Sequence, residues 1–191
     1  MRVFDAADEA VFAGLCDALA EKVRDRVGNP DVILGVRNGG VAVAAAFSAY
    51  FPGTRLGYVS ARRPSTGKKE KMRLKRFLRH LPVRLLDNLR ILEARFLAYS
   101  GNPDREVNLD ISPEIFELMA VPSTKVVVVD DAVDSGYTLQ AVIGELSRIT
   151  TAKLFTAAIT ATTSAPAVKP DVTLFNDNVL VRFPWSMDAK R

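Results

Sequence analysis

The run from Val126 to Val129, followed at once by Asp130 and Asp131, constrains the fold of this chain more than any other feature. Four consecutive β-branched residues without polar alternation favour a strand that is buried on both faces, as in a parallel sheet. A short loop and a helical pattern from about Tyr137 to Arg148 follow this strand. A buried strand that ends in carboxylates and leads into a helix indicates a parallel α/β unit with a ligand site at the strand's carboxyl end.

Strand and helix patterns alternate along most of the chain, which predicts an α/β fold: a largely parallel twisted sheet flanked by helices, in one domain spanning 1–191. Residues 62–122 interrupt the alternation, so we predict an insertion there, a basic loop followed by helix, that forms a lid or subdomain. Residues 164–191 are expected to form a hood-like C-terminal tail. The patterns predict helices at 6–27, 41–50, 83–99 and from Ser112, and strands at 31–36, 55–61, 153–160, 172–175 and 179–183.

Composition excludes several kinds of protein. The 191 residues are 48% hydrophobic and 25% charged, which is ordinary for a globular chain and argues against disorder. One cysteine, Cys16, excludes an intramolecular disulfide, and with one histidine, His80, a zinc site lacks ligands. The first ten residues hold three acids and no apolar run, which predicts no signal peptide, and no apolar stretch is long enough to span a membrane. We therefore expect a cytoplasmic protein without membrane contact.

The positive charge of the chain is concentrated in one segment. The net charge is +4, but residues 62–79 alone carry nine basic side chains and one acid, so the rest of the chain is acidic. Such a patch favours phosphate, nucleic acid or an anionic surface. The nine residues are Arg62, Arg63, Lys68, Lys69, Lys71, Arg73, Lys75, Arg76 and Arg79.

The loop after the valine strand combines a phosphate cradle with carboxylates. Backbone N–H groups at the start of a helix bind phosphate, and the hydroxyls of Ser135 and Thr138 add donors. Carboxylates repel phosphate, so Asp130 and Asp131 must bind another part of the same ligand: vicinal hydroxyls, a divalent metal, or both. A ribose 5-phosphate fits this description.

The segment Lys125–Leu139 resembles the binding motif for phosphoribosyl pyrophosphate (PRPP) of the type I phosphoribosyltransferases: four apolar residues, two acids, two variable positions, then Asp-Thr/Ser-Gly-x-Thr. The resemblance implies that Asp130 and Asp131 hold the ribose hydroxyls and the metal, and that the loop 134–138 holds the 5-phosphate. It implies a general acid/base role near the acceptor for Asp134. Where the family often has glycine, this chain has Tyr137. The implied PRPP-binding set is Asp130, Asp131, Asp134, Ser135, Gly136, Tyr137 and Thr138.

A second segment, 33–40, resembles the pyrophosphate loop of the same family, in which a strand runs into a turn ending in Arg-Gly-Gly. Here Asn38 stands between the arginine and the two glycines. Either Arg37 keeps the role of the arginine in a longer loop, or Asn38 replaces it. The implied pyrophosphate-binding residues are Val36, Arg37, Asn38, Gly39 and Gly40.

In the family, a mobile loop closes over the reaction centre, and the basic segment occupies the corresponding position in this chain. The resemblance therefore implies a closing loop that contains Arg62, Arg63, Lys68 and Lys69. The C-terminal Phe183-Pro-Trp185 is similar to the tail of xanthine/guanine-type phosphoribosyltransferases, which implies an acceptor pocket formed by Val133, Leu180 and Trp185. Two purine contacts of that group are absent. Leu180 replaces an aromatic residue, and residues 161–163 lack the lysine that reads the purine 6-oxo group.

The resemblance implies a Mg²⁺-dependent transferase that moves the phosphoribosyl group of PRPP to a nitrogen acceptor, in the first instance a nucleobase, with Mg²⁺ held by Asp130 and Asp131. Two alternatives stay open: a non-catalytic PRPP sensor that binds nucleic acid through the 62–79 patch, and a phosphoribosyl-handling enzyme with an unusual acceptor. The leucine-rich helix pattern at 83–99 has two interpretations. Either this helix packs on the other helices of the predicted lid, or it contacts a second copy of the chain. For the oligomeric state we expect a homodimer.

Overall fold

The computed structural model describes residues 2–62, 105–176, 179–186 and 189. Within them the helices are α1 (Glu9–Val27), α2 (Gly39–Tyr50), α3 (Pro113–Met119) and α4 (Tyr137–Ile149). The strands are β1 (Arg2–Asp5), β2 (Val32–Val36), β3 (Arg55–Arg62), β4 (Glu106–Asp110), β5 (Lys125–Val133), β6 (Lys153–Ala161), β7 (Val172–Asn176) and β8 (Val179–Arg182).

Six strands form one sheet in the order β4-β3-β2-β5-β6-β7. Strands β3, β2, β5, β6 and β7 run parallel to one another, and β4 pairs antiparallel with β3 at the edge. This confirms the predicted largely parallel α/β sheet with flanking helices. Parallel neighbours need long crossover connections, and α2 and α4 supply two of them.

Strand β5 is buried on both faces, as its four valines predict. Val127 and Val129 belong to the hydrophobic cluster that also contains residues of α1 and α2. Val126 and Val128 belong to the cluster that contains residues of α3 and α4. The period-2 alternation of a strand divides the four valines between two helix layers, so a core lies on each side of the sheet.

Part of the predicted 62–122 insertion belongs to the sheet. Strand β4 extends it by one strand, and α3 buries Ile115 and Met119 in the core beneath it. The predicted helix from Ser112 is present as α3, and the hydroxyl of Ser112 caps it by accepting from the Ile115 N–H at 3.4 Å. Residues 63–104, with the predicted helix 83–99 and the homodimer contact expected of it, lie outside the described part of the chain.

The N- and C-terminal segments form a second, two-stranded parallel sheet from β1 and β8. Strand β1 was not predicted. The Arg182 guanidinium, which is buried, binds the Asp5 carboxylate at 2.7 Å and joins the two strands. No helix in the described ranges is both long and apolar enough to cross a membrane.

Candidate active site

Strands β2 and β5 lie side by side in the sheet, but the chain leaves them in opposite directions. From β2 it passes through α2 to β3 on one side, and from β5 it passes through α4 to β6 on the other. Such a reversal of strand order opens a crevice at the carboxyl ends of the two strands, and ligands of open α/β sheets bind in that crevice. The turn 37–38 and the two glycines that begin α2 follow β2, and the loop 134–136 follows β5. Both candidate ligand-binding segments therefore lie at this edge.

A cavity of about 410 Å³ occupies this edge of the sheet. Its size suits a small-molecule ligand. Residues from the ends of β2, β3 and β5, from the start of α4 and from the C-terminal tail line it together. They are Val36, Arg37, Asn38, Gly39, Ser60, Ala61, Arg105, Asp130, Asp131, Thr138 and Trp185.

Two glycines allow the turn after β2 to lie against the carboxylates at the end of β5. A Cβ at Gly39 would lie 1.8 Å from Oδ2 of Asp131, and a Cβ at Gly40 would lie 2.6 Å from the carbonyl oxygen of Val129. Any larger residue would push the two segments apart. The predicted pyrophosphate loop and the predicted ribose carboxylates are therefore in direct contact.

Asp130 and Asp131 are adjacent carboxylates at a site from which the surrounding protein largely excludes water. Burial raises the pKa of Asp130 well above its ordinary value, and the negative charge of Asp131 raises it further. Burial also raises the pKa of Asp131, against the hydrogen bonds that its carboxylate accepts. Its Oδ1 accepts from the Ala132 N–H at 3.0 Å, and its Oδ2 accepts from the indole Nε1–H of Trp185 at 3.2 Å. Neighbouring buried acids of this kind are stabilised by a cation or by hydroxyl donors of a ligand.

The loop that joins β5 to α4 depends on a left-handed glycine and on a backbone hydrogen bond to the chain after β6. Gly136 has φ +75°, in the left-handed region, and a Cβ there would lie 2.9 Å from the Ala167 nitrogen. The Ala167 N–H donates to the Ser135 carbonyl at 2.9 Å and holds the loop against the chain after β6. No side chain caps the start of α4. Its first N–H groups therefore face outward as donors for an anion.

Asp134 has a polar partner that its sequence does not indicate. The hydroxyl of Thr162, which is buried, donates to Oδ1 of Asp134 at 2.6 Å. This bond fixes the carboxylate, and within the described residues no hydrogen bond engages Oδ2. Thr162 stands in the segment 161–163 and presents a neutral hydroxyl to this acid.

Arg37 and Asn38 both line the cavity. The Arg37 guanidinium forms an ion pair with Asp110, at the end of β4, and both side chains are about half exposed. Asn38 has φ +90° and ψ −105°, a conformation that non-glycine residues rarely adopt. The turn that inserts Asn38 before the two glycines is thus strained, as turns at functional sites often are.

The structure does not bring together the three residues predicted to form the pocket for the acceptor base. Trp185 lines the cavity, whereas Val133 lies in the buried cluster with α3 and α4, and Leu180 pairs with Val3 in the β1–β8 sheet. Of the predicted closing loop, Arg62 ends β3, whereas Arg63, Lys68 and Lys69 lie outside the described residues, as does most of the basic patch.

Sequence reasoning missed three cavity residues. Ser60 and Ala61 stand at the carboxyl end of β3, where the parallel-sheet rule could have placed them. Arg105 directly precedes β4, which runs antiparallel, so its amino end reaches the same edge. Because β4 was not predicted, no signal pointed to Arg105.

Residues 7–190 match the family described as "Phosphoribosyl transferase domain". The chain belongs to this family. It is thereby a pentosyltransferase of the phosphoribosyltransferase class, in agreement with the motif at the end of β5 and its contact with the turn after β2. No curated protein matches the chain.

Solved structures with a similar fold cover most of the chain, and phosphoribosyltransferases are among them. A purine phosphoribosyltransferase from Pyrococcus horikoshii Ot3 is 22% identical, with a TM-score of 0.64 over 97% of this chain and 95% of that one. The xanthine-guanine-hypoxanthine phosphoribosyltransferase of Helicobacter pylori is 18% identical, with a TM-score of 0.62 over 99% and 97%. A hypothetical protein from Neisseria gonorrhoeae with bound ppGpp is 17% identical, with a TM-score of 0.61 over 95% and 88%.

The carboxylates of this phosphoribosyltransferase suit a Mg²⁺ ion that takes most of its ligands from the substrate and from water. In the described part of the chain, no group of three or more acidic, histidine or cysteine side chains forms a cage for a metal. Asp130 and Asp131 offer hard oxygen donors whose pKa values burial raises, so a nearby cation would stabilise their ionised forms. Mg²⁺ commonly uses one or two carboxylates and takes its other oxygens from substrate phosphates and water.

Proposed function

We propose that the chain transfers the phosphoribosyl group of PRPP to a ring nitrogen of a nucleobase and releases pyrophosphate. The observation that carries this proposal is the direct contact between the two glycines that begin α2, Gly39 and Gly40, and the Asp130-Asp131 pair at the reversal of strand order. One crevice thereby joins a glycine turn suited to a diphosphate, an acid pair suited to two ribose hydroxyls, and a helix start suited to a phosphate.

The 5-phosphate binds the loop 134–138 in this proposal. The uncapped start of α4 provides backbone N–H donors, and the positive end of the helix dipole favours the anion. Ser135 and Thr138 add hydroxyl donors. Gly136 supplies the left-handed turn that lets the chain enter the helix while Ala167 holds the Ser135 carbonyl.

The ribose and the pyrophosphate bind on either side of the contact between the two segments. Asp130 and Asp131 accept hydrogen bonds from the ribose 2′- and 3′-hydroxyls, and Arg37, in the turn after β2, binds the pyrophosphate. Asp130 and Asp131 would hold Mg²⁺, which would supply positive charge that stabilises the leaving pyrophosphate. Arg37 adds a second positive charge when it exchanges its Asp110 partner for a phosphate oxygen.

The reaction breaks the bond between C1 of the ribose and the pyrophosphate oxygen, and the electron pair leaves with the oxygen. C1 passes through an oxocarbenium-like state and forms a bond to the ring nitrogen of the base. The proton on that nitrogen must then leave, and Asp134 is the candidate acceptor. Thr162 fixes Oδ1 of Asp134, so Oδ2 takes the proton.

Purines are the first acceptors to test. Two solved proteins with this fold are a purine and a xanthine-guanine-hypoxanthine phosphoribosyltransferase. The segment 161–163 offers hydroxyl groups in place of a lysine, so we do not expect the charged recognition of a 6-oxo group.

Pyrophosphate release from PRPP and Mg²⁺ in the presence of single purines and pyrimidines tests the proposal. We expect turnover with at least one base. The variant Asp134→Asn should lower kcat by about 10²- to 10⁴-fold, the usual contribution of a general base, with PRPP affinity retained. PRPP binding without pyrophosphate release for any base would refute the transferase proposal and favour a non-catalytic PRPP-binding protein.

A further inference from the structure

The tail of the chain contributes one side chain to the ribose carboxylates. Trp185, the single tryptophan of the sequence, follows β8 and lines the same cavity as Asp130 and Asp131. Its indole Nε1 lies 3.2 Å from Oδ2 of Asp131, within hydrogen-bonding distance. An indole N–H is a donor only, so this contact is a hydrogen bond from the tail to an ionised or hydrogen-accepting carboxyl oxygen.

The indole of Trp185 packs against two phenylalanine rings of the protein itself. The Phe183 ring stacks on it at a centroid distance of 5.0 Å and an interplanar angle of 3°, and Phe12 of α1 meets it at 5.2 Å and 83°. Phe183 therefore covers one face that a planar base would use for stacking. The polar edge of the ring is the part directed at the candidate site.

The tail that carries Trp185 is held in place at two points. The Arg182 guanidinium binds Asp5 of β1 at 2.7 Å. Beyond β8, the Phe183 N–H donates to the Ser186 hydroxyl at 3.0 Å, and the Ser186 N–H donates to the Phe183 carbonyl at 2.9 Å. These contacts close a tight turn around Trp185, so the position of the indole is set before any ligand binds.

We propose that Trp185 is a positioning residue for the ribose subsite, acting through its hydrogen bond to Asp131, and that it does not bind the acceptor base by stacking. The inference rests on the proposed function, because it assumes that Asp131 binds PRPP. The Ala132 N–H holds Oδ1 and the indole holds Oδ2, so the carboxylate plane is fixed. A carboxylate oxygen has two lone pairs, so a carboxylate held by these two donors can still accept a hydrogen bond from a ribose hydroxyl.

The variant Trp185→Phe removes the N–H and keeps an aromatic ring against Phe183. We expect the KM for PRPP to rise by about 10-fold, the size expected for one hydrogen bond to a charged group. The KM for the accepted base should stay within about twofold. A rise in the KM for the base with no change for PRPP would overturn the inference and assign Trp185 to the acceptor pocket.

Replacement of the single tryptophan by β-(3-benzothienyl)alanine deletes the N–H while keeping the bicyclic ring, so it separates hydrogen bonding from packing. The same loss of PRPP affinity as in Trp185→Phe supports the inference, and wild-type affinity overturns it. The control Phe12→Leu removes a ring packed on the indole and leaves the N–H in place. It should leave the KM for PRPP within about twofold, and an increase as large as that of Trp185→Phe would also overturn the inference.

Binding can be followed without turnover. Trp185 is the only tryptophan and is 43% exposed, so its emission reports on PRPP binding directly. We expect PRPP with Mg²⁺ to shift the emission of the wild-type protein. Calorimetric PRPP binding with unchanged emission would contradict the placement of Trp185 at the ribose subsite. If the wild type does not bind PRPP, the proposed function itself is refuted. If the wild type binds PRPP and Trp185→Phe binds it equally well, the inference about Trp185 is refuted and the proposed function is not.

Discussion

The variant Gly39→Ala tests the contact between the two ligand-binding segments. A Cβ at this position would lie 1.8 Å from Oδ2 of Asp131 and 2.1 Å from its Cγ, whereas ordinary contact begins at 3.4 Å. The carboxylate must therefore move by about 1.6 Å, or α2 must move away from the sheet. The backbone at Gly39 does not have a positive φ, so the added methyl group acts through its volume alone.

A displacement of that size exceeds what the partners of Asp131 allow. Its bonds to the Ala132 N–H, at 3.0 Å, and to the Trp185 indole, at 3.2 Å, would both stretch beyond hydrogen-bonding distance. Ribose contacts to the same carboxylate are lost with them, at about 1.5–3 kcal/mol for each hydrogen bond to a charged group. We therefore expect PRPP to bind about 10- to 100-fold more weakly, and overpacking to lower the free energy of unfolding by about 1–3 kcal/mol.

Calorimetric titration with PRPP and Mg²⁺, together with urea unfolding, measures both effects. Gly144→Ala is the matched control, because a Cβ there meets nothing within 4 Å on the exposed side of α4. That control should raise the free energy of unfolding by about 0.5–1 kcal/mol and leave PRPP affinity unchanged. Wild-type PRPP affinity in Gly39→Ala would refute the assignment of Asp131 to the ribose.

Three further predictions concern the surroundings of the site. Asp110→Asn removes the ion-pair partner of Arg37. PRPP binding measured by calorimetry should tighten by up to about fivefold, which matches the free energy of an exposed ion pair. Weaker binding would instead show that Asp110 orients Arg37. Gly136→Ala forces a left-handed φ on alanine and a clash with the backbone of 167–168, so urea unfolding should show a loss of about 1–3 kcal/mol. Burial raises the pKa of Cys16 to about 12, so the thiol stays protonated at pH 8 and should react with a disulfide reagent only after unfolding; rapid labelling of the folded protein would contradict its burial.

The parts of the fold that the sequence predicts are those with a local cause. Four consecutive valines can be buried only in a strand covered on both faces, and the two clusters that share them confirm this. The glycines after β2 and the acids after β5 lie together because parallel strands bring their carboxyl ends to one edge. That rule needs only the alternation of strands and helices.

The parts that were missed depend on distant partners. Strand β1 has four residues and pairs with β8 at the far end of the chain, a contact that no local pattern encodes. Strand β4 does alternate, with Val107 and Leu109 facing inward, but five residues with two apolar positions are a weak sequence signal for a strand. The hydrogen bonds of Trp185 to Asp131 and of Thr162 to Asp134 join residues 54 and 28 positions apart, so only the folded chain reveals them.

Calorimetric titration of PRPP with Mg²⁺ into the wild type and the double variant Asp130→Asn/Asp131→Asn addresses the central claim most directly. If the two carboxylates hold the ribose hydroxyls, the wild type binds PRPP, and the double variant loses at least about 100-fold in affinity through two weakened charge-assisted contacts. Equal PRPP affinity in both proteins, with Mg²⁺ present, would show that the sugar binds elsewhere and would contradict the account.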